Sequence, residues 1–331
     1  MHTKQSRNLV WRGQTNAAWG LMSKLYRSFL NSNPHRLTEN SFTKLEQQIL
    51  GSLRDWGLHS QKLTGRLSIL SQIAMLQHFQ SPTRFIDVSF NSLVAAFFAT
   101  EQDDDNDEND ARLFAIDTTG HLINTEKNLR EWEDSLDTPW SDSYIRNEYY
   151  NHQHPLGLIS NIDNDPAHLD NFVRNWRHEW TSHYYVWKPP ALDSRIAAQN
   201  GGFLFGGLIG SESREGFLNK KNSEQTGKFQ VQSKASINET DFKGKRYLTV
   251  AEARQVTCVA IQPQMFETNN IRSNRKSALY TIRISAKAKP DIRQHLEKMY
   301  GFAHATIYPD FSGFAVHGAG KILRDLAKQE K

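Results

Sequence analysis

Residues 77–89, which read QHFQSPTRFIDVS, hold the densest group of side chains able to do chemistry. The candidate residues are Gln77, His78, Thr83, Arg84, Asp87 and Ser89. Their amide, imidazole, hydroxyl, guanidinium and carboxylate groups can bind a polar ligand or move a proton. A purely structural interpretation stays open as well, because His78 could be a satisfied core residue and Arg84 could pair with Asp87 at the surface.

Two apolar helices are predicted on either side of this segment. Residues 68–79 carry apolar side chains at helical spacing. Residues 93–99 read LVAAFFA, which is too apolar for an exposed helix, and Asn91 or Ser89 would cap that helix. A polar turn held between two buried helices is rigidly supported, and Pro82 fixes one further backbone angle. Rigid support of this kind is what a binding site needs.

A candidate arginine lies near the start of the chain. Arg12 follows a predicted short buried strand at residues 9–11 and precedes Gly13. Its planar guanidinium could reach a phosphate or a carboxylate, because glycine lets the backbone come close. Arg12 could equally pair with an internal carboxylate such as Asp87, and both arrangements could hold at once.

A candidate amide lies late in the chain. Gln199 ends a short predicted helix and precedes Gly201 and an apolar strand at residues 203–205. At such a junction the side chain could contact a ligand, or it could satisfy the backbone of a loop.

The composition predicts a globular protein of the reducing cytoplasm. The 331 residues suffice for one large domain or two small ones, and 11% of them are aromatic. No apolar run reaches the length of a membrane helix, and residues 1–7 lack the apolar region of a signal peptide. The one cysteine, Cys258, lies in an apolar stretch and is predicted to be a core residue.

The charge is distributed unevenly along the chain, although the net charge is only +4. Residues 101–110 hold seven acidic side chains and predict a mobile, solvated loop without the ligand spacing of a calcium site. Residues 208–247 are rich in Gly, Ser, Lys and Asn and predict a basic and polar insertion. This insertion could hold nucleic-acid phosphates or could simply be solvated.

The remaining pattern predicts a mixture of strands and helices. Further strands are expected at 112–117, 184–187, 256–261 and 278–284, and a strand and turn at 305–311. Further helices are expected at 41–56, 169–184, 290–300 and 314–328. No phosphate-binding loop or Cys/His zinc pattern is visible, so no metal is expected.

Three segments of the chain resemble the FRG-domain family. They are WRGQ at residues 11–14, residues 77–99, and RIAAQ at 195–199, with YPDFSG following at 308–313. The resemblance extends over residues 8–320 apart from the insertion and implies a single FRG-type domain. The family usually has Gly where Gln80 stands, and an aromatic residue and Thr where Val88 and Ser89 stand.

The order of these segments also resembles the ADP-ribosyltransferase fold. In that fold a first strand supplies Arg or His, a later strand and helix supply Ser-Thr-Ser or Tyr, and a late strand supplies the catalytic Glu. The analogy implies an α+β protein with an ADP-ribosyltransferase-like split mixed β-sheet core and helical insertions. It is an analogy at the level of the fold.

The resemblance implies NAD as a co-substrate and a role for each candidate residue. Arg12, Asp87 and Gln199 would be catalytic; Gln14, Gln77, His78, Thr83, Arg84 and Ser89 would bind the cofactor. Arg12 would hold the diphosphate or ribose, and Gln14 and Thr83 would surround the nicotinamide amide. Since Gln199 cannot act as a general base, either Asp87 takes part or the activity is weak or absent.

Two functions are therefore expected as alternatives. The first is an ADP-ribosyltransferase that modifies RNA or DNA as a toxin or phage-defence effector, with a neutralising antitoxin-type protein as a possible partner. The second is a non-catalytic binding module in which Arg12, Arg84 and Gln199 clamp a nucleotide or an acidic partner. In either case we expect the site to gather Arg12, Gln77, Thr83, Arg84, Asp87 and Gln199 in one cleft.

Overall fold

The computed structural model describes eight long stretches of the chain and several short pieces. The long stretches are residues 8–32, 38–61, 65–102, 105–123, 141–153, 183–190, 193–208 and 279–319. The short pieces are 138, 168–173, 176, 229–231, 246–248, 256–259, 261, 322 and 326. Most of the predicted insertion at 208–247 therefore lies outside the described residues, as does much of the predicted helix at 169–184.

Ten strands form one large sheet and two small hairpins in the described part of the chain. They are β1 (Leu9–Gln14), β2 (Ser60–Gln61), β3 (Gly65–Arg66), β4 (Ile86–Ser89), β5 (Ala111–Asp117), β6 (Tyr184–Trp187), β7 (Gly201–Gly206), β8 (Phe229–Val231), β9 (Arg246–Leu248) and β10 (Leu279–Ile284). The large sheet has the order β10-β5-β1-β4-β7-β6, and the hairpins pair β2 with β3 and β8 with β9.

Every neighbouring pair of strands in the large sheet is antiparallel. The α+β class is confirmed, whereas the prediction of a mixed sheet is wrong. The pairing between β1 and β4 is short: Trp11 opposite Ser89 is the one pair in their register, while β1 and β5 pair along the whole of β1. The sheet is thus weakly joined at its centre.

The main helices of the described residues are α1 (Lys24–Ser32), α2 (Glu39–Asp55), α3 (Ile69–His78), α4 (Ser92–Thr100), α5 (Asp142–Gln153), α6 (Ser194–Ala198), α7 (Lys289–Tyr300) and α8 (His304–Ile307). Among them, α4 and α6 contact the strands of the large sheet most extensively, and α7 packs on α4. The chain continues as a short turn at Phe311–Gly313 and a π-helical turn at Phe314–Gly318. The four helices predicted at 41–56, 68–79, 93–99 and 290–300 are confirmed as α2, α3, α4 and α7.

Two local predictions are wrong. The predicted strand at 305–311 is instead α8 and a turn, because Ile307 is fully buried beside Phe97 and Leu296. The predicted strand at 256–261 is reduced to isolated bridges at Thr257 and Val259. Within the described residues, the predicted helix at 314–328 begins as the π-helical turn.

Helix α4 packs directly on β1. A Cβ atom on Gly13 would lie 1.9 Å from the carbonyl oxygen of Ala95 and 2.7 Å from the amide nitrogen of Ala99, so only glycine fits. The helix is capped by Asn91, whose side chain accepts a hydrogen bond from the amide of Leu93 at 2.9 Å. This contact fixes β1, and Arg12 with it, against a buried helix.

A buried ion-pair network joins α2 to the start of β4. Arg84 is 3% exposed; it donates to Glu39 at 2.8 Å, to Glu46 at 3.2 Å and to the carbonyl oxygen of Gly206 at 2.9 Å. Burial alone would lower the pKa of Arg84, but the carboxylates of Glu39 and Glu46 outweigh it and raise the pKa above its ordinary value. The network holds the segment before β4 in place.

The described part of the acidic segment 101–110 is a loop with exposed residues, among them Glu108 and Asn109, and it is anchored at several points. Asp110 accepts from Arg283 at 2.6 Å and from the amide of Ala286 at 2.9 Å. The fully buried Lys289 donates to the carbonyl oxygen of Asn106 at 2.7 Å. Basic residues at the C-terminal end of the fold therefore hold this segment in place.

No helix among the described residues is long and apolar enough to cross a membrane.

Candidate functional site

A cleft of about 900 Å³ lies at the short junction between β1 and β4. Its walls come from β1, the end of α3, β4, α6 and the start of β7, with Glu101 and Tyr308 closing one side. The predicted residues that line it are Arg12, Gln14, Gln77, His78, Asp87, Ser89 and Gln199. The sheet thus brings together side chains that are far apart in the sequence.

Asp87 is one of the two carboxylates that line this cleft. Its Oδ2 lies 3.4 Å from Arg12 Nη1, and its Oδ1 accepts from Gln77 Nε2 at 3.2 Å. Arg12 Nη1 also donates to the Asp87 backbone oxygen at 3.1 Å. The predicted pairing of Arg12 with Asp87 is confirmed. Since the Asp87 side chain is still 53% exposed, its carboxylate is oriented yet open to a ligand.

Thr83 lies one hydrogen bond behind the wall of the cleft. Its Oγ1 is buried and donates to Gln77 Oε1 at 2.6 Å, which orients the Gln77 amide so that its nitrogen faces Asp87. The same oxygen accepts from the amide of Phe85 at 3.2 Å. Thr83 therefore positions Gln77 rather than facing the cleft itself.

Two polar atoms of β1 are buried without a hydrogen-bond partner among the described residues: Arg12 Nε and Gln14 Oε1. Residues two apart on a strand point to the same face, and both residues line the cleft. The Gln14 amide is oriented by its nitrogen, which donates to the carbonyl oxygen of Gly20 at 3.1 Å. Buried polar atoms are normally satisfied. These two have almost no solvent-accessible surface, so a ligand in the cleft could pair with them only after a small shift of the side chains.

Gln199 caps α6 and is held on both sides. Its backbone oxygen accepts from Ser89 Oγ at 2.7 Å, and its side-chain nitrogen donates to the carbonyl oxygen of Ile307 at 3.1 Å. Ser89 Oγ also accepts from the amide of Asn91 at 3.0 Å. Ser89 therefore positions Gln199, whose side-chain oxygen can accept a hydrogen bond from a ligand.

His78 ends α3 at the edge of the cleft. Its Nε2 lies 3.7 Å from a carboxylate oxygen of Asp193, the residue that caps α6 through the amide of Arg195. The side chain is 24% exposed, so it is neither a buried core residue nor fully solvated. It can contact a ligand from the side of α3.

Arg84 does not reach the cleft, which corrects its predicted role in cofactor binding. Its guanidinium is enclosed by Glu39 and Glu46 and does not line the site. It also does not pair with Asp87, which binds Arg12 and Gln77 instead. The sequence placed Arg84 close to the site correctly but could not identify its partners.

An ion pair between Arg195 and Asp310, which the sequence did not predict, closes the side of the cleft. Arg195 donates to Asp310 through Nε at 2.7 Å and through Nη2 at 2.8 Å, and its guanidinium lies 5.2 Å from the centre of the Tyr308 ring. The hydrogen bonds from Arg195 hold the pKa of Asp310 well below its usual range. The sequence signal for this ion pair was the presence of Arg195 in RIAAQ (195–199) and of Asp310 in YPDFSG (308–313), two segments that carry the family resemblance.

Tyr308 and Glu101 complete this wall. Tyr308 Oη donates to the two Glu101 carboxylate oxygens at 3.2 and 3.1 Å. Burial raises the pKa of Tyr308, and the nearby Glu101 carboxylate raises it further. One donor atom from each of Glu101, His304 and His317 lies within 4.8 Å of the others, so these residues could hold a metal ion.

The charges around the cleft favour an anionic ligand. The basic residues lining it are Arg12, Lys24, Arg27 and Arg195, and the acidic ones are Asp87 and Glu101. Arg195 is committed to Asp310, and Lys24 donates to the backbone oxygen of Gln80. Arg27 is exposed at the cleft. A ligand with phosphate groups would fit this distribution.

Residues 7–108 match the FRG domain, which supports the resemblance to the FRG-domain family over that part of the chain. The match covers β1, β4 and α4, and therefore Arg12 and Asp87. It ends before Gln199 and before the YPDFSG segment at residues 308–313. No curated protein and no solved structure matches the chain.

One feature of the family is explained by the structure. Gln80 has a φ of 64°, in the left-handed region that favours glycine. This is the position where the FRG-domain family usually has Gly. The turn after α3 therefore keeps its shape here despite an unfavourable residue.

Proposed function

We propose that this protein binds NAD in the cleft between β1 and β4 and transfers ADP-ribose to a macromolecule. One observation carries the proposal. Strands β1, β4 and β7 are neighbours in the sheet, and they bring Arg12, Asp87 and Gln199 to one cleft. These are the three positions to which the ADP-ribosyltransferase analogy gave catalytic roles.

The unsatisfied atoms of β1 suggest how NAD would be held. The nicotinamide amide offers one carbonyl acceptor and one N–H donor, which complement Arg12 Nε and Gln14 Oε1. Lys24, which lines the cleft, would face the diphosphate. The size of the cleft lies within the range of small-molecule and cofactor sites.

The reaction would break the bond between nicotinamide and ribose and form a bond from the acceptor to the same ribose carbon. The transition state resembles an oxocarbenium ion, which the Asp87 carboxylate would stabilise. Asp87 would also take the proton that the acceptor loses, while nicotinamide leaves with the electron pair of the broken bond. Gln199 would accept a hydrogen bond from a ribose hydroxyl and so orient the sugar.

RNA or DNA is the acceptor that we propose. Arg27 is exposed at the cleft and would attract the phosphates of the acceptor. Trp19 also lines the cleft and is 47% exposed, which leaves a ring on which a base could stack. Modification of nucleic acid would suit a toxin or phage-defence effector, and a neutralising antitoxin-type protein would then be a plausible partner.

The alternative is a module that binds a nucleotide without catalysis. The observation that favours it is Gln199 itself, an amide whose nitrogen is committed to the Ile307 backbone, where the analogy expects a glutamate. Arg84 cannot take part in such a clamp because it is buried in its own ion pairs. The clamp would then consist of Arg12 and Gln199.

The test is transfer of label from NAD carrying the label in its adenosine part. Purified protein is incubated with separate pools of RNA, DNA and cell protein, and nicotinamide release is measured in parallel. Arg12→Ala is compared with Arg66→Ala, a control at an exposed arginine that does not line the cleft. Transfer of label by the wild type and by Arg66→Ala, but not by Arg12→Ala, supports the proposed ADP-ribosyltransferase activity. Binding of NAD without release of nicotinamide would favour the binding module. Absence of NAD binding would overturn the proposed enzyme and leave a module that binds a different nucleotide.

A further inference from the structure

Three side chains that commonly bind metals meet beside the cleft. Glu101 Oε1 lies 3.2 Å from His304 Nε2 and 3.6 Å from His317 Nδ1. They come from three separate elements: the residue that follows α4, the start of α8 and the π-helical turn at Phe314–Gly318. Glu101 and His304 are 203 positions apart in the sequence. Tertiary packing, rather than local spacing, creates the cluster.

The donor atoms indicate the class of metal. Two imidazole nitrogens and one carboxylate oxygen suit borderline divalent ions such as Zn²⁺, whereas Mg²⁺ and Ca²⁺ prefer oxygen ligands alone. Catalytic zinc sites use three such protein ligands and leave a further position for water or substrate. The side chains are between 17% and 33% exposed, so the cluster is sheltered but open to an ion.

The surroundings of Glu101 also fit a metal ligand. Tyr308 Oη donates to both carboxylate oxygens, as a group behind a metal ligand does when it fixes the orientation of that ligand. Tyr308 is held in turn by Arg195, which lies against its ring. His317 sits in a π-helical turn, a distortion that often occurs at functional sites.

We propose that Glu101, His304 and His317 bind a divalent transition metal, Zn²⁺ or an ion of similar preference, at the wall of the cleft. Because Glu101 and Tyr308 line the cleft, the remaining coordination position would be next to the proposed ligand site. The sequence predicts no metal, because the usual zinc patterns consist of closely spaced cysteines and histidines. The proposal does not depend on NAD being the ligand.

Metal binding requires one imidazole ring to turn. The His304 and His317 rings are stacked, with centres 4.6 Å apart and planes within 15°. A bound zinc ion lies near the plane of each ligating ring, about 2.0–2.1 Å from its nitrogen, so two stacked rings cannot both point at one ion. His317 also stacks on Tyr308, with ring centres 4.3 Å apart. Metal binding should therefore change the ultraviolet absorption of Tyr308.

The test uses Co²⁺ as a spectroscopic substitute for Zn²⁺. The full chain is treated with a chelator and titrated with Co²⁺, and visible absorption reports the ligand field; Zn²⁺ is then added in competition. We expect one equivalent of Co²⁺ to bind and to be displaced by Zn²⁺. Glu101→Gln, His304→Gln and His317→Gln should each weaken binding at least about tenfold. A Tyr308→Phe variant should lose the ultraviolet change.

The chain has 13 histidines, so surface binding is the main rival explanation. His295→Gln is the matched control, because His295 is exposed on α7 and outside the cluster. The proposal is overturned if no stoichiometric Co²⁺ site appears, or if His295→Gln weakens binding as much as His317→Gln. Should Glu101→Gln fail to fold, His317→Gln decides the matter, because His317 is partly exposed and lies near the end of the described fold.

Discussion

Arg84→Met tests whether Arg84 supports the fold or contacts a ligand. In the structure its guanidinium is buried against two carboxylates, those of Glu39 and Glu46. Methionine preserves much of the side-chain volume but removes the charge and the hydrogen bonds. Two carboxylates would then remain buried without their counterion, which is the costly outcome of breaking a buried ion pair.

The expected decrease in the free energy of unfolding is large compared with the decrease on breaking an exposed ion pair. Removing one partner of a buried pair costs about 3–5 kcal/mol, a substantial part of the roughly 5–15 kcal/mol that stabilises a typical domain. Arg12→Met is the matched control, because Arg12 and Asp87 are 32% and 53% exposed. An exposed pair is worth about 0–1 kcal/mol, so this variant should be nearly as stable as the wild type.

Urea denaturation followed by circular dichroism measures both variants. A triple variant, Arg84→Met with Glu39→Gln and Glu46→Gln, should recover part of the lost stability, because no buried charge then remains unpaired. Two results would refute the reasoning. One is an Arg84→Met variant no less stable than Arg12→Met. The other is an Arg84→Met variant of unchanged stability that has lost ligand binding.

Three further predictions follow from single features of the structure. Gln80→Gly should stabilise the protein by roughly 0.5–1 kcal/mol in urea denaturation, since glycine adopts the left-handed φ of this position without strain; a loss of stability would contradict this. Asp310→Asn should be less stable than the wild type at neutral pH. Because pairing with Arg195 lowers the pKa of Asp310, its contribution is complete above the ordinary carboxyl pKa of about 3.9 and is lost on acidification below it. The difference in free energy of unfolding between the wild type and Asp310→Asn should therefore become smaller below about pH 4. A difference that does not change with pH would contradict the pairing. Burial raises the pKa of Cys258 to about 11, so a thiol reagent should modify it only after unfolding, and rapid reaction in native conditions would contradict its burial.

The sequence predicted those parts of the fold that rest on local pattern. Helix α4 was recognisable because every side chain in residues 93–99 is apolar, as a buried helix requires. The strand at β1 was also recognisable, but the need for glycine at Gly13 depends on the close approach of α4. Strand direction was not predictable, because the alternation of side chains is the same in parallel and antiparallel strands.

Interactions between distant residues could not be predicted. Arg84 lies 45 positions from Glu39, so spacing suggested the nearer Asp87 as its partner. Tyr308 lies 207 positions from Glu101, and the sequence predicts Glu101 only as part of an acidic loop. The segment at 305–311 contains the β-branched Thr306 and Ile307 and was predicted as a strand, but burial of Ile307 among apolar helices outweighs that preference.

The sequence predicted which residues lie near the site better than it predicted what each side chain does there. Arg12, Asp87 and Gln199 were expected in one cleft, and the structure places them there. Thr83 and Ser89 were expected to contact a ligand, yet their hydroxyl groups are used to hold Gln77 and Gln199. Hydroxyl groups serve both purposes, and only the three-dimensional contacts distinguish them.

Equilibrium binding of NAD, measured by isothermal titration calorimetry, tests the central claim most directly. Wild-type protein should bind NAD, and Arg12→Ala should bind it about 10–100-fold more weakly, because a hydrogen bond to a charged group contributes about 1.5–3 kcal/mol. Gln14→Ala should also weaken binding, since Gln14 Oε1 lacks another partner among the described residues. Equal affinity in all three proteins, or no binding by the wild type, would contradict the claim that this cleft binds NAD through β1.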